Sequence, residues 1–420
     1  MKTLKRIGAV GGAVALILCW PLAVGQVGQK IVTDGLANLS NDQVKTELVS
    51  YERGYFSSSA VTRYTVLDRD IKRQLEQQGL PSEWVINSDI QHHAFSLSAV
   101  STFSEQTHIP LQLNTQTRLN GSTDFQMHLD NWFYQSKGEQ PFTLSMTASS
   151  LQGTASILGE ISYALTLPSI ALNFTNGEQV QLAHVYGEGK GKQEKGFWVG
   201  QHKITLGEMT IRDVRQATRF NLNHAMYEFR SSMDASKQRF TGQHMVTVRA
   251  LKTGDDEIRD AIFDFTLGDV DRKAFTQLSE LYQGGRTLSN SLINQARPAI
   301  EKLFSQGFSL TLNRLALTIG QGELEAKWQL TVPEGTHDVL HDPGALFSVL
   351  SGFLEALVSQ SLVKDYPFIQ QGVDQLVLME MATHNEQGYQ LKVDIHNGLL
   401  VFASGKQVPL TALMMPLLLQ

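Results

Sequence analysis

Hydrophobic and polar residues alternate along most of the chain between residues 90 and 250. In one such run, Phe125, Met127 and Leu129 are separated by polar residues. A period of two is typical of antiparallel strands with one buried and one solvated face. Turn-forming pairs such as Asn120-Gly121 and Asn176-Gly177 separate the runs. The pattern predicts roughly seven to ten consecutive strands in a long, curved antiparallel meander.

After residue 265 the period lengthens, which favours amphipathic helices mixed with strands. Asp342 and Pro343 are suited to the N-cap and first position of one helix, and the Asn397-Gly398 pair predicts a hairpin turn near the end. The predicted helices cover residues 271–282, 287–304 with an interruption at Pro298, 342–362 and 368–381. The predicted strands cover residues 308–312, 315–319, 323–332, 389–395 and 399–403.

Together these elements predict an α+β fold: an N-terminal membrane helix, then a long and predominantly antiparallel β meander, with amphipathic helices concentrated in the C-terminal half. The sequence divides into residues 1–26, a β-rich region at 27–265 and a mixed region at 266–420. No proline- or serine-rich linker separates the last two regions. One continuous body and two domains are both compatible with this pattern.

The N-terminus has the pattern of a membrane signal anchor. Lys2, Lys5 and Arg6 precede an uncharged apolar run from Ile7 to Gly25, which is about long enough to cross a bilayer core as a helix. Positive charge on the short side predicts that the N-terminus stays in the cytoplasm and that the rest is exported. Cleavage after Gly25 is the alternative, because Ala23-Val24-Gly25 is a small-residue site.

Composition excludes several classes of protein. Cys19, within the apolar run, is the single cysteine, so the exported part has no disulfide and no thiolate site. The formal net charge is −6, which argues against a nucleic-acid partner.

Local motifs for catalysis or metal binding are weak. His337 and His341 have the spacing of zinc ligands on a helix, but glutamate is missing beside the first histidine. The glycine-rich stretch from residue 187 to 196 lacks the helix that a phosphate-binding loop requires, so it is interpreted as a charged hairpin loop. The sequence therefore predicts no catalytic, cofactor-binding or metal-binding residue, although a dispersed active site would leave no local motif.

The segment Ser50–Ser59, with Tyr51, Glu52, Arg53, Gly54 and Phe56 as its core, resembles the signature of the YdgA-like (DUF945) family of bacterial envelope proteins. The resemblance implies an inner-membrane anchor and a β-rich envelope protein of unknown mechanism. From the residues alone, the segment is interpreted as one strand. Its glycine would mark a bulge or a close backbone approach, and it would serve packing or pairing rather than ligand contact.

Two hypotheses for function remain. The apolar run in the predicted helix 342–362, together with the apolar end at 412–419, is compatible with core packing, with a groove for acyl chains or with a dimer interface. The first hypothesis is a non-enzymatic, inner-membrane-anchored periplasmic protein that binds a lipid or another apolar ligand, or scaffolds envelope partners. The second is a periplasmic hydrolase with a dispersed active site.

Overall fold

A computed structural model describes residues 33, 40, 43–77, 79–104, 109–137, 141–194, 197–234, 238–283 and 290–412. The predicted anchor at Ile7–Gly25 and the last eight residues of the apolar C-terminus lie outside these ranges. Within them, no helix combines the length and the hydropathy that a membrane crossing requires.

The chain forms two compact units. The first comprises the described residues up to 188 together with residues 212–217, and the second comprises residues 189–211 together with those from 218 onwards. The sequence-based division into residues 1–26, 27–265 and 266–420 stays a prediction.

The first unit is built on antiparallel strands and includes a short surface helix. The helix, α1, spans Arg69–Gln77 and has no buried residue; it was not predicted from the sequence, although Ile71 and Leu75 are spaced one helical turn apart. The strands are β1 (Val44–Arg53), β2 (Ser57–Val66), β3 (Glu83–His92), β4 (Ser96–Phe103), β5 (Leu111–Arg118), β6 (Thr123–Leu129), β7 (Trp132–Gln135), β8 (Phe142–Met146), β9 (Ser149–Ala155) and β10 (Glu160–Phe174). The next strand, β11 (Gln179–Glu194), begins in the first unit and ends in the second.

The first six strands pair in chain order, which the alternation from residue 90 onwards predicted for β4 to β6. β6 then pairs with β9 rather than β7, and β9 pairs with the first half of β10. The second half of β10 pairs with β8, which forms a hairpin with β7. Pro168 lies where β10 changes partner, a position where the ladder does not need its missing N–H.

The second unit is also built on antiparallel strands. β13 to β18 pair in chain order, β18 pairs with β20, and β20 pairs with β19 and β21. Its strands are β12 (Phe197–Arg212), β13 (Thr218–Asp234), β14 (Arg239–Thr253), β15 (Asp256–Asp271), β16 (Phe308–Ile319), β17 (Gly322–Val332), β18 (Ser351–Ser359), β19 (Thr383–Asn385), β20 (Gly388–His396), β21 (Leu399–Phe402) and β22 (Gln407–Pro409). Its helices are α2 (Arg272–Gln283), α3 (Asn290–Gln306), α4 (Pro343–Val349), α5 (Gln360–Asp365) and α6 (Pro367–Leu378).

A β-rich antiparallel fold with few helices, most of them C-terminal, is therefore confirmed. Helices α2, α3 and α6 lie where the sequence predicted helices, and Asn397 and Gly398 both have positive φ in the predicted turn. The predicted interruption at Pro298 is wrong, because α3 continues through it. Leu292 and Ala299 are buried on either side, so tertiary packing outweighs the local cost of the proline.

The predicted helix over 342–362 is also wrong. Its beginning is confirmed, since the Asp342 carboxylate accepts a hydrogen bond from the Ala345 amide at 3.2 Å, but α4 ends at Val349. Residues 351–359 instead form β18, between β17 and β20. An apolar run without a clear polar stripe fits a buried helix and a central strand equally well. Pairing with two neighbouring strands decides in favour of the strand.

The largest core lies in the second unit, where α4 packs on the sheet. It joins Phe347 and Leu350 to buried side chains of β17, β20 and β21. A smaller core in the first unit contains Ala60, Ile90 and Leu97.

Candidate functional site

The segment Ser50–Ser59 forms a hairpin rather than the single strand expected from the sequence. Tyr51, Glu52 and Arg53 end β1, whereas Gly54 and Phe56 lie in the turn before β2. The predicted close approach at the glycine is present, because a Cβ on Gly54 would come within 2.8 Å of the carbonyl oxygen of Ser57. This turn leaves the Phe56 ring 66 % exposed.

His92, the last residue of β3, fastens this hairpin to the sheet. Its Nδ1 lies 3.2 Å from the carbonyl oxygen of Tyr55, and its Nε2 lies 2.9 Å from the Ser58 hydroxyl. Because the carbonyl can only accept, Nδ1 carries the proton and Nε2 accepts from the serine. A serine–histidine pair of this kind can serve as nucleophile and base. Here both residues are only 6 % exposed, so the pair is a structural clamp closed to substrate.

One face of the sheet in the second unit is apolar and the other is charged. Strand β17 shows the division most clearly, with Trp328 on the apolar face and Lys327 on the charged one. On the charged face, Lys327 pairs with Glu355 at 3.2 Å and Arg314 pairs with Glu325 at 2.9 Å. These pairs are exposed, so they contribute little to stability but keep this face in water.

The apolar face carries a continuous row of side chains across eight strands. Each residue of the row is the register partner of the next one. In order across the sheet they are Phe229, His244, Phe265, Leu312, Trp328, Leu354, Val393 and Phe402. The end at Val393 and Phe402 is buried in the main core. The part from Phe229 to Trp328 is largely half-buried, and Phe263 beside it is 42 % exposed. We call that part the aromatic row.

The aromatic row continues onto β12 through ring contacts. The His202 ring lies 5.2 Å from the Phe229 ring and 6.3 Å from the Trp198 ring, measured between centroids. Phe265 contacts Trp328 in the same way at 6.1 Å. The rings therefore form a surface that is apolar and continuous over several strands, of the kind that large apolar ligands occupy.

Three polar groups lie within this surface. The Tyr227 hydroxyl and His244 Nδ1 are hydrogen-bonded at 2.8 Å, and the His202 ring contacts the Tyr227 ring. Burial lowers the pKa of His202, and the neighbouring His244 lowers it further. Burial also lowers the pKa of His244 and raises the pKa of Tyr227. At neutral pH the group is therefore uncharged while keeping polar atoms for hydrogen bonds.

The glycine-rich stretch at residues 187–196 helps to seat Trp198. A Cβ on Gly191 would lie 2.6 Å from Cε2 of this indole, and a Cβ on Gly200 would lie 2.4 Å from the Cα of Gly191. The glycines therefore allow two backbones and a ring to approach closely. The interpretation as a loop is wrong for residues 187–194, which belong to β11, and residues 195–196 lie outside the described residues.

The remaining predicted positions show no converging chemistry. His337 and His341 precede α4 in a loop, where His341 Nε2 lies 3.4 Å from the Arg297 guanidinium. Over the described ranges of the chain, no three or more histidine, cysteine, aspartate or glutamate side chains are grouped as metal ligands would be.

Sequence reasoning missed the aromatic row. Its members lie between residues 229 and 328 and come together only through strand register. The one usable signal was the alternation around Trp328, which predicted a half-buried strand but did not indicate its neighbours.

Comparison with known proteins gives one match. Residues 1–411 match the family described as "Bacterial protein of unknown function (DUF945)". No curated protein and no solved structure matches this chain.

Proposed function

The chain belongs to the DUF945 family of bacterial proteins, and from this premise we propose that it binds the acyl chain of a lipid along the aromatic row, without catalysis, at the bacterial inner membrane. The observation that carries the proposal is the half-buried row itself, from Phe229 to Trp328, on a sheet whose other face is charged. A large apolar surface of this kind commonly marks a binding site.

The dimensions of the row suit one acyl chain. It crosses five strands, from β13 to β17, and strands in a sheet lie about 4.7–4.9 Å apart, which gives about 19 Å. One leaflet of a bilayer core is about 15 Å thick, half of the whole. A single acyl chain laid across the strands would therefore contact each ring in turn. Each square ångström of apolar surface that it covers contributes about 25 cal/mol.

The polar side chains His202, Tyr227 and His244 leave the environment of the acyl chain uncharged. His202 and His244 are held neutral by their lowered pKa values, so an acyl chain meets no charge that would have to be desolvated. The Tyr227–His244 hydrogen bond satisfies both partners internally. The Tyr227 hydroxyl and His244 Nδ1 therefore need no hydrogen bond from a ligand.

The N-terminal pattern supports the membrane location. The family match starts at residue 1 and so includes the run Ile7–Gly25. Its length and the preceding basic residues are those of a segment that stays in the inner membrane with the N-terminus in the cytoplasm. A protein anchored in this way has its ligand supply in the same bilayer.

The test uses the full chain, purified in detergent and exchanged into nanodiscs. Binding of the fluorescent fatty acid cis-parinaric acid is followed by energy transfer from tryptophan, since Trp328 lies in the row and Trp198 lies on its continuation onto β12. Phe263→Glu places a charge beside the row, at a side chain 42 % exposed. The matched control is Phe368→Glu on α6, at a side chain 74 % exposed. We expect Phe263→Glu to weaken binding by roughly tenfold or more and Phe368→Glu to leave it unchanged.

Equal affinity of both variants, or no binding by the wild type, would overturn the proposal. Native mass spectrometry of the same sample, before and after organic extraction, identifies any lipid carried from the cell. Recovery of that lipid chemically intact after prolonged incubation supports binding without catalysis. Release of hydrolysis products would instead favour the hydrolase.

A further inference from the structure

Four turns at one end of the sheet in the first unit carry large exposed hydrophobic side chains. These turns join β1 to β2, β3 to β4, β5 to β6 and β9 to β10. Because the strands pair antiparallel in the order β1 to β6, then β9 and β10, all four turns lie at the same end. The exposed fractions are 66 % for Phe56, 73 % for Phe95, 48 % for Leu119, 76 % for Ile157 and 68 % for Leu158.

The composition of these turns differs from that of other turns in the chain. Residues 54–57, 93–96, 119–123 and 155–159 contain no lysine, arginine, aspartate or glutamate. The turns after β12 and β14, by contrast, contain Asp213 and Asp255. Turns in water ordinarily use polar residues. Four neighbouring turns that share the opposite character indicate a surface that meets an apolar phase.

The exposed side chains are held by closed turns. Backbone hydrogen bonds of 2.7–3.0 Å close each one, including Gly54 to Ser57 and Gly159 to Ser156. Ile157 lies directly over Gly121, where a Cβ would come within 2.1 Å of its Cγ2. The four tips are therefore preorganised, and little conformational entropy is lost when they enter another phase.

We infer that these four tips dock the first unit onto the lipid bilayer that holds the N-terminal segment. Hairpins in a sheet repeat every 10 Å or so, twice the strand spacing, so the four tips form a row along the end of the sheet, with the third and fourth in contact through Ile157 and Gly121. A fluid bilayer accepts such spaced apolar tips independently, whereas a protein interface packs around a contiguous core. Arg53 directly precedes the first of these turns, at a depth suited to lipid phosphates, whereas Arg118 before the third turn is paired with Asp124.

The position of the N-terminal segment indicates that the four tips dock onto the same bilayer in which that segment lies; this part rests on the proposed function. The chain enters β1 at Val44, at the end of the sheet opposite to the tips. Because β1 has ten residues, Val44 lies about 33 Å from the first tip. The residues between Gly25 and Val44 can reach about 60 Å when extended, which is far enough for the tips to turn back to the same membrane. Tethering raises their effective concentration there.

The test places a single NBD fluorophore on the full chain in liposomes, after Cys19→Ser removes the one natural cysteine. Labels at Phe95→Cys and Ile157→Cys report the tips. The label at Leu67→Cys is the matched control, at an exposed apolar residue beyond the opposite end of β2. With doxyl-labelled lipid in the same liposomes, we expect the tip labels to shift to the blue and to lose roughly threefold or more of their intensity relative to the control.

Equal quenching at Leu67 and the tips, or none at the tips, would overturn the inference. If the tip labels are quenched only by doxyl lipid in a second population of liposomes, the tips dock onto a bilayer other than the one that holds the N-terminal segment. If the tip labels shift to the blue without being quenched by lipid, and the shift grows with protein density, the tips contact a second copy of the chain instead of lipid. A label on natural Cys19 separately reports the membrane segment. Parinaric acid binding by Phe56→Ser/Phe95→Ser, expected to be unchanged, separates failure of docking from failure of the proposed function.

Discussion

Replacing His92 tests the interpretation that hydrogen bonds from this residue of β3 stabilise the turn of the Ser50–Ser59 segment. In His92→Leu the imidazole hydrogen bonds to the Tyr55 carbonyl and to the Ser58 hydroxyl are both lost. The backbone bond from the His92 amide to the Phe56 carbonyl remains. The side chain stays apolar and of similar size, so the change isolates the polar clamp.

The magnitude follows from burial. A typical hydrogen bond contributes about 1 kcal/mol net, and a buried polar group left without its partner costs about 1–3 kcal/mol. Ser58 and His92 are each 6 % exposed, so water cannot replace the lost contact to the Ser58 hydroxyl. We expect His92→Leu to lower the free energy of unfolding of the first unit by about 2–4 kcal/mol. Ser58→Ala alone should cost about 1 kcal/mol, and the two changes should couple by about 1 kcal/mol.

Native-state hydrogen exchange with mass spectrometry measures this in the full chain. Peptides from β1 to β3 report the first unit, and peptides from β16 and β17 report the second unit. The neighbouring exposed pair His93–Ser98, joined at 2.8 Å, supplies the control: His93→Leu should change the free energy by no more than about 0.5 kcal/mol.

Three results would refute this reasoning. The first would be that first-unit peptides are protected from exchange as well in His92→Leu as in His93→Leu. The second would be that the double variant His92→Leu/Ser58→Ala shows purely additive losses of stability. Alternatively, a fluorophosphonate probe would label Ser58 in the wild type, which requires an accessible nucleophile rather than a buried clamp.

Two further predictions concern the aromatic row. His202 and His244 have lowered pKa values in the folded chain, so the unfolded chain binds protons at these two residues more readily. The stability that the two neutral histidines contribute is therefore fully present above their ordinary pKa of 6.5 and is lost as the pH falls below that value. Urea unfolding of the second unit at pH 7.5 and 5.5 should show this loss, and His244→Phe should reduce it; an unchanged pH dependence would contradict the assignment. Gly191→Val should destabilise the second unit by about 1–3 kcal/mol because it meets the Trp198 indole, whereas Gly372→Ala, in open space on α6, should stabilise it by about 0.5–1 kcal/mol. A calorimetric scan in which both variants match the wild type would refute the packing argument.

Where a pattern is local, the sequence predicted it well. The alternation from residue 324 to 332 gave β17, and the Asn397-Gly398 pair gave the turn between β20 and β21. Asp342 and Pro343 marked the start of α4. Each of these depends on the conformational preferences of a few neighbouring residues, which the chain carries whatever surrounds it.

Predictions failed where distant partners decide the outcome. Residues 351–359 are apolar enough for a buried helix, and they form β18 because β17 and β20 offer hydrogen bonds on both sides. Likewise, residues 50–59 form a hairpin whose turn is bound by His92, more than thirty residues away in the sequence.

The sequence by itself determined the β-rich class, the turns and the charge of each strand face, because all three follow from the period of two and from local turn chemistry. Only the tertiary structure decided which residues meet. Strand register brought Phe229, His244, Phe265 and Trp328 into one row, and a shift of one residue would have turned each of them to the charged face. The order of pairing likewise gathered four separate apolar turns at one end of a sheet. Both candidate surfaces are properties of pairing, which no short stretch of the chain contains.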